Sequence, residues 1–215
     1  MKSRRGFGVA AGVLAAIAAV CLVIAGVLTA RGDSSAQPSQ VATGMNGRPV
    51  VLDPGVTAIP ISRSHAVDQH AGQRFVVPSV GLNVPLGALD EVDGEVTPPG
   101  FTSAYRIRNL GVSPKDSDHG TTYVVMHSAT GGATAPGNYL TDISRGVATV
   151  KTGAVVRVAG ASYRVTGWEA VRKNQLASTR TVWSSVPDRL VIITCLERPQ
   201  GGPSISNIVI TAKRT

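Results

Sequence analysis

The sequence predicts an all-β domain, a closed or nearly closed β-barrel with minor short helices, behind an N-terminal transmembrane helix and a flexible linker. Three observations carry that reading. Aromatic residues make up only 4% of the chain, and Val, Ala, Gly and Thr set its texture, which suits strands packed with small branched side chains better than a helical bundle. Seven or eight short runs of strand character crowd into the C-terminal two thirds, separated by closely spaced turn signals, the pattern of a barrel whose neighbouring strands leave few free edges. A long uncharged stretch near the N-terminus is followed by a segment rich in Gly, Ser, Pro and Gln with no sustained period.

Lys2, Arg4 and Arg5 precede Gly8–Ala30, 23 residues without a charge. At ~1.5 Å per residue such a helix rises ~35 Å, enough to span a bilayer with some tilt. The basic flank predicts a cytoplasmic segment over 1–7, a transmembrane signal-anchor over 8–30 and an extracellular remainder, making a single-pass protein of the cell membrane. The alternative is a cleaved signal peptide, for which Ser34–Ala36 supplies small residues. Residues 31–72 read as a flexible extracellular linker; Arg31–Asp33, an Arg-Gly-Asp sequence, reads as a juxtamembrane turn. The formal charge is +8, but no run of five basic residues occurs. That excludes a nucleic-acid stripe and leaves a solvated basic surface, with attraction to an anionic envelope as its mildest consequence.

The domain runs from 73 to 215. Its opening, RFVVPSVGLNVPLGAL from Arg74, reads as two short strands punctuated by Pro78 and Pro85, which favour edges or bulges. The acidic LDEVDGE that follows reads as a turn and not as a calcium site. Thr121–His127 is a strand of buried character, and a Gly/Ala/Thr loop follows it. DISRG, from Asp142, reads as a short helical turn. Val155–Val158 and Tyr163–Val165 alternate around a hairpin turn at Gly160. Leu190–Cys195 and Ser206–Ala212 supply two further strands.

The chain holds two cysteines. Cys21 falls inside the apolar span, so Cys195 has no partner in the exported part, where disulfides are the usual fate of cysteine. Two strands end alike: TYVVM stops at His127 and LVIIT stops at Cys195. Taken singly, a strand-end Cys is a small buried packing residue and a lone His a satisfied one. If the two ends lie side by side, the imidazole can take the thiol proton and later protonate a leaving amine. A donor aimed at the oxyanion of a tetrahedral intermediate completes such a site. His65 and His70 fall in the linker and His119 in an acidic turn, so none is assigned a role. No Cys/His pair has metal-ligand spacing, and no phosphate loop or other cofactor motif is present; no metal or cofactor is expected.

With these residues in place, the domain resembles the sortases, the cysteine transpeptidases of the cell envelope, and most of all their class E and F members from actinobacteria. VIITC, Val191–Cys195, is similar to the family's Thr-Leu-X-Thr-Cys strand. TTYVVMH is similar to the strand ending in its catalytic His, RFVVPSVGLNVPL to its opening strand, and SNIVITA to its last. The resemblance covers about residues 73–213 and implies an eight-stranded barrel with a single membrane anchor. It also implies Cys195 as nucleophile, His127 as acid/base and Thr194 as a supporting residue. The implied substrates are proteins bearing an LPXTG-like sorting signal, cleaved through a thioacyl-enzyme. An amine of a peptidoglycan precursor or a pilin then accepts the acyl group.

Two positions depart from the pattern. Met126 stands where the family has Gly before its His, which would narrow the entrance of the site. The family's oxyanion-stabilising arginine, at the start of the last strand, falls on Ile205 or Asn207 here. Three readings follow: Arg198 curls back from the loop after the nucleophile, Asn207 donates through its side-chain amide, or catalysis is impaired. The last leads to a different class, a binding module that holds an envelope peptide without cleaving it. A peptidoglycan L,D-transpeptidase is a further alternative, but LVIITCLERP lacks the His and Gly of that family's Ser-His-Gly-Cys-Arg pattern.

Overall fold

A computed structural model describes residues 42–52, 66 and 72–215. The helix expected over 8–30, the segment 1–7 and most of the 31–72 linker lie outside the described residues. Among those described, no helix is long and apolar enough to cross a membrane.

In chain order the strands are β1 (Arg74–Val77), β2 (Leu82–Leu89), β3 (Ala104–Ile107), β4 (Thr121–Met126), β5 (Thr141–Asp142), β6 (Val147–Ala148), β7 (Val155–Val158), β8 (Ala161–Arg172), β9 (Arg189–Leu196) and β10 (Ser206–Arg214). Two one-turn helices, α1 (Lys173–Leu176) and α2 (Arg180–Trp183), lie between β8 and β9. Eight strands close a barrel in the order β1-β2-β3-β4-β9-β10-β8-β7, with β7 returning to β1, while β5 and β6 form a separate hairpin. The all-β, closed-barrel expectation holds, and short helices are indeed its minor component.

The two prolines of the opening segment sit where the ladder can spare an N–H. Pro78 starts a 3-10 turn. Pro85 falls where β2 changes partners, from antiparallel β1 up to Pro85 to parallel β3 from Leu86 onward. The helical turn expected at DISRG is instead the turn of the β5–β6 hairpin. Asp142 Oδ1 accepts hydrogen bonds from the backbone N–H groups of Ser144 and Arg145, a local side-chain turn that competes with helix. β3 shows too short an alternation, AYRI, to stand out in the sequence.

The strands carry two apolar layers because both faces of several are covered. In β9, Leu190 and Ile192 enter the barrel interior with Phe75, Val124, Met126 and Ile208. Val191 and Ile193 alternate to the outer face and pack with Tyr123, Val125, Val209 and, at its margin, Trp183 of α2. This two-sided burial explains why LVIIT is an unbroken apolar run and not an alternating one. A register shift between Thr211 and Ala212 interrupts the β8–β10 ladder, which otherwise continues to Arg172 at the end of β8; α1 and α2 follow, and their Leu176, Val182 and Trp183 pack on the outer layer.

One part of the expected linker is ordered differently. Residues 42–52 form a small bridged turn, Thr43 against Pro49, and Val50 is buried with Ala129, Ala133 and Ala135 of the loop after β4. Met45 N–H donates to the Thr134 carbonyl at 2.7 Å, and the Asn46 side chain donates to that of Gly132 at 2.8 Å. Val50 and Leu52, apolar residues in a stretch with no sustained period, are the sequence signal for this docking.

Candidate active site

The site is built on strand register. β4 and β9 run parallel, with Met126 opposite Thr194. The next residues along are His127 and Cys195, so the two strand ends emerge side by side, ~4.8 Å apart as neighbouring strands are. On the other edge of β9, antiparallel β10 sets Asn207 opposite Cys195, and β8 sets Val171 opposite Asn207. Side chains alternate across a sheet. His127 therefore follows Val125, Cys195 follows Ile193, and Asn207 precedes Val209, all on the outer face. Together they line a cavity of about 580 Å³. Its apolar wall is Val125, Ile193, Leu176 and Trp183, and its far side is the loop from Gly94 to Pro98.

His127 is held firmly. Its Nε2 donates to the Pro98 carbonyl at 2.7 Å, and its ring stacks on Phe101 with centroids 4.3 Å apart. A carbonyl can only accept, so the neutral ring keeps its proton on Nε2 and offers Nδ1 as acceptor. Burial lowers the imidazole pKa below its ordinary value; the Pro98 hydrogen bond opposes this, and the positive charge of Lys173 adds to it. The ring is thus a neutral base at pH 7. Phe101 and Pro98 come from the turn-rich segment before β3, where no sequence pattern marked them.

Behind the reactive face, the two strands are tied together. The Thr194 hydroxyl donates to the Met126 carbonyl at 3.0 Å, and the Ser128 hydroxyl donates to the Cys195 carbonyl at 2.7 Å and lies 3.0 Å from Thr194 Oγ1. Gly137 packs against this knot: its N–H donates to the His127 carbonyl at 2.8 Å, and a Cβ there would strike Thr194 Oγ1, Ser128 Oγ and the His127 carbonyl. Asn138 pins the loop by accepting from the Ala129 and Ala135 N–H groups and donating to the Ala129 carbonyl. Ser128, Gly137 and Asn138 were not singled out in the sequence; only their proximity to His127 could have hinted at them.

The two proposed oxyanion donors separate in space. Asn207 is buried at 7% relative exposure, lies on the cavity next to Cys195, and makes no side-chain hydrogen bond among the described residues. Arg198 is exposed in the β9–β10 loop, where its carbonyl accepts from Gly201 N–H, and it does not line the cavity. Met126, expected to narrow the entrance, lines the cavity but packs in the inner core at 3% exposure, because its parity on β4 points it inward. His119 is exposed beside Asp118. His65 and His70 lie outside the described residues. Among the described residues no cluster of His, Cys, Asp or Glu has the arrangement of a metal site.

No family model and no curated protein matches the chain. Among solved structures, the chain is similar to sortase A from Listeria monocytogenes, at 17% identity and a TM-score of 0.47 over 66% of this chain and 86% of that one. Sortase A from Corynebacterium diphtheriae follows at 15% identity and a TM-score of 0.46, over 66% of this chain and 60% of that one. Sortase C-1 from Actinomyces oris shows 18% identity and a TM-score of 0.43, over 66% of this chain and 72% of that one.

Proposed function

We propose that this chain is a membrane-anchored, sortase-like cysteine transpeptidase of the cell envelope. The observation that carries the reading is the register that brings Cys195 and His127 side by side, with the unpartnered Asn207 amide on the other flank of the sulfur. In the proposed reaction His127 Nδ1 takes the Cys195 proton as the sulfur attacks the carbonyl carbon of a sorting-signal threonine. The C–S bond forms and the carbonyl oxygen becomes an oxyanion, toward which Asn207 donates. Collapse breaks the C–N bond, His127 returns its proton to the leaving amine, and a thioacyl-enzyme remains. An acceptor amine then attacks this thioester and gives a proton to His127; the new C–N bond forms, the C–S bond breaks, and His127 returns that proton to the sulfur, which regenerates the thiol. Thr194 acts as a positioning residue through the Met126 carbonyl. The LPXTG-like signal, the peptidoglycan-precursor or pilin amine, the class E/F affinity and the anchor through residues 8–30 belong to this proposal.

Incubation of the full chain with LPXTG-like and LAXTG-like peptides tests it. A mass increase on the Cys195 peptide, absent in Cys195→Ala, is the expected result. One observation favours a second reading, a peptide-binding module: among the described residues no arginine lines the cavity. Saturable peptide binding without any Cys195 adduct would establish that reading instead.

A further inference from the structure

We propose that Lys173 supplies the positive charge of this site, facing the oxyanion from the rim opposite His127, in the role that Arg198 is too far outside the cavity to fill. The inference rests on the acyl-transfer reading above and adds a catalytic residue to it.

Five observations converge. Lys173 is the one cationic side chain lining the cavity among the described residues, and Glu95 is the other charged one. The sheet places it: Cys195 pairs with Asn207, Asn207 pairs with Val171, and Lys173 follows Val171 by two residues, anchored by its own N–H donating to the Ile205 carbonyl at 3.0 Å. Lys173 forms no ion pair, with Glu95 or any other described carboxylate, so its ammonium is not already neutralised. Its charge is felt inside the site, since it disfavours protonation of His127. The buried, unpartnered Asn207 amide between Lys173 and the sulfur marks where an acceptor atom is missing. A lysine is a flexible point charge where an arginine is a rigid fork. Asn207 therefore provides the direction and Lys173 the charge. In the chemical step nothing is transferred to either: the negative charge appears on the carbonyl oxygen as the C–S bond forms and leaves it as the C=O bond is restored, the C–N bonding pair departing with the amine that His127 protonates.

The test uses the full chain and its Lys173→Met and Lys173→Arg variants. Because Lys173 is exposed, both are expected to fold, and circular dichroism checks this. With a reactive sorting-signal peptide, Lys173→Met should form the Cys195 adduct about 100-fold more slowly than the parent, the scale of losing one oxyanion donor. Lys173→Arg should recover most of that rate. A Lys173→Met rate within about threefold of the parent overturns the inference and leaves the transpeptidase reading intact. A second measurement stands without any substrate. The ratio of Cys195 alkylation by anionic iodoacetate to that by neutral iodoacetamide, read on the Cys195 peptide so that Cys21 does not contribute, should fall about threefold in Lys173→Met and hold in Lys173→Arg. An unchanged ratio overturns the inference, including in the case where the parent makes no peptide adduct and the transpeptidase reading fails on its own.

Discussion

The cavity has two walls of different construction. One is the sheet face of β4, β9 and β10, which carries His127, Cys195 and Asn207 at positions dictated by register. The other is assembled from chain that leaves the sheet: the Gly94–Pro98 loop, α1 and α2, which contribute Pro98, Lys173, Leu176 and Trp183. Cys195 and Asn207 are held by the ladder pairing of their strands, and His127, one residue past β4, by the Pro98 carbonyl and the Phe101 ring. Groups on short loops and one-turn helices tune them. The Pro98 carbonyl sets the His127 tautomer, and the Lys173 charge biases its protonation. Bond-making groups on the sheet, with charge and tautomer supplied from the loops and short helices, is the division the difference suggests, and it can be broken experimentally.

The largest effects should come from the sheet wall. Cys195→Ala should abolish adduct formation altogether, as mass spectrometry of the full chain would show. His127→Ala should lower its rate by ~10²–10⁴, the contribution of a positioned acid/base. Asn207→Ala separates activity from stability. Adduct formation should fall about 100-fold, while thermal unfolding should show no loss, because a buried amide without a partner does not stabilise the fold. A large fall in Tm would mean that Asn207 is structural. Gly137→Ala tests the knot behind the site: forced against the His127 carbonyl and the Ser128 and Thr194 hydroxyls, the new methyl should cost ~3 kcal/mol by denaturant unfolding.

The loop wall should show itself in pH dependence. In the proposed reaction His127 acts as base in its neutral form, and burial and Lys173 both hold its pKa below 6.5. Activity should therefore fall on acidification with a limb centred below that value. Lys173→Met removes a positive charge, which makes protonation easier, so the limb should move to higher pH. A limb that stays put would deny the loop wall its influence on the sheet wall. The smallest effect is expected from Ser128→Ala, which removes the hydrogen bond to the Cys195 carbonyl for ~1 kcal/mol of stability.

The two walls also differ in how legible they were. TTYVVMH and LVIITC show themselves as strands because a run of branched apolar residues is a local property, and their shared ending on a chemically active side chain needs no third dimension to be noticed. β3 and the hairpin at DISRG did not stand out: four residues are too few for a period, and Asp142 makes a turn of what its neighbours would allow as helix. Residues 42–52 read as linker because three apolar residues in a polar stretch give no periodicity, although Val50 finds a pocket among the alanines after β4. Met126 looked like an obstruction at the site until parity on β4 turned it inward.

By itself, the sequence determined an all-β domain, the strand identity of the segments that carry His127 and Cys195, and the chemical types at their ends. Only the tertiary structure decided which strands are neighbours. Strand pairing joins residues far apart in the chain, and nothing local to LVIITC says that β4 lies on one edge and β10 on the other. That pairing puts Asn207 beside Cys195, leaves Arg198 outside although it is three residues away, and brings Lys173, 22 residues before the cysteine, to the same cavity.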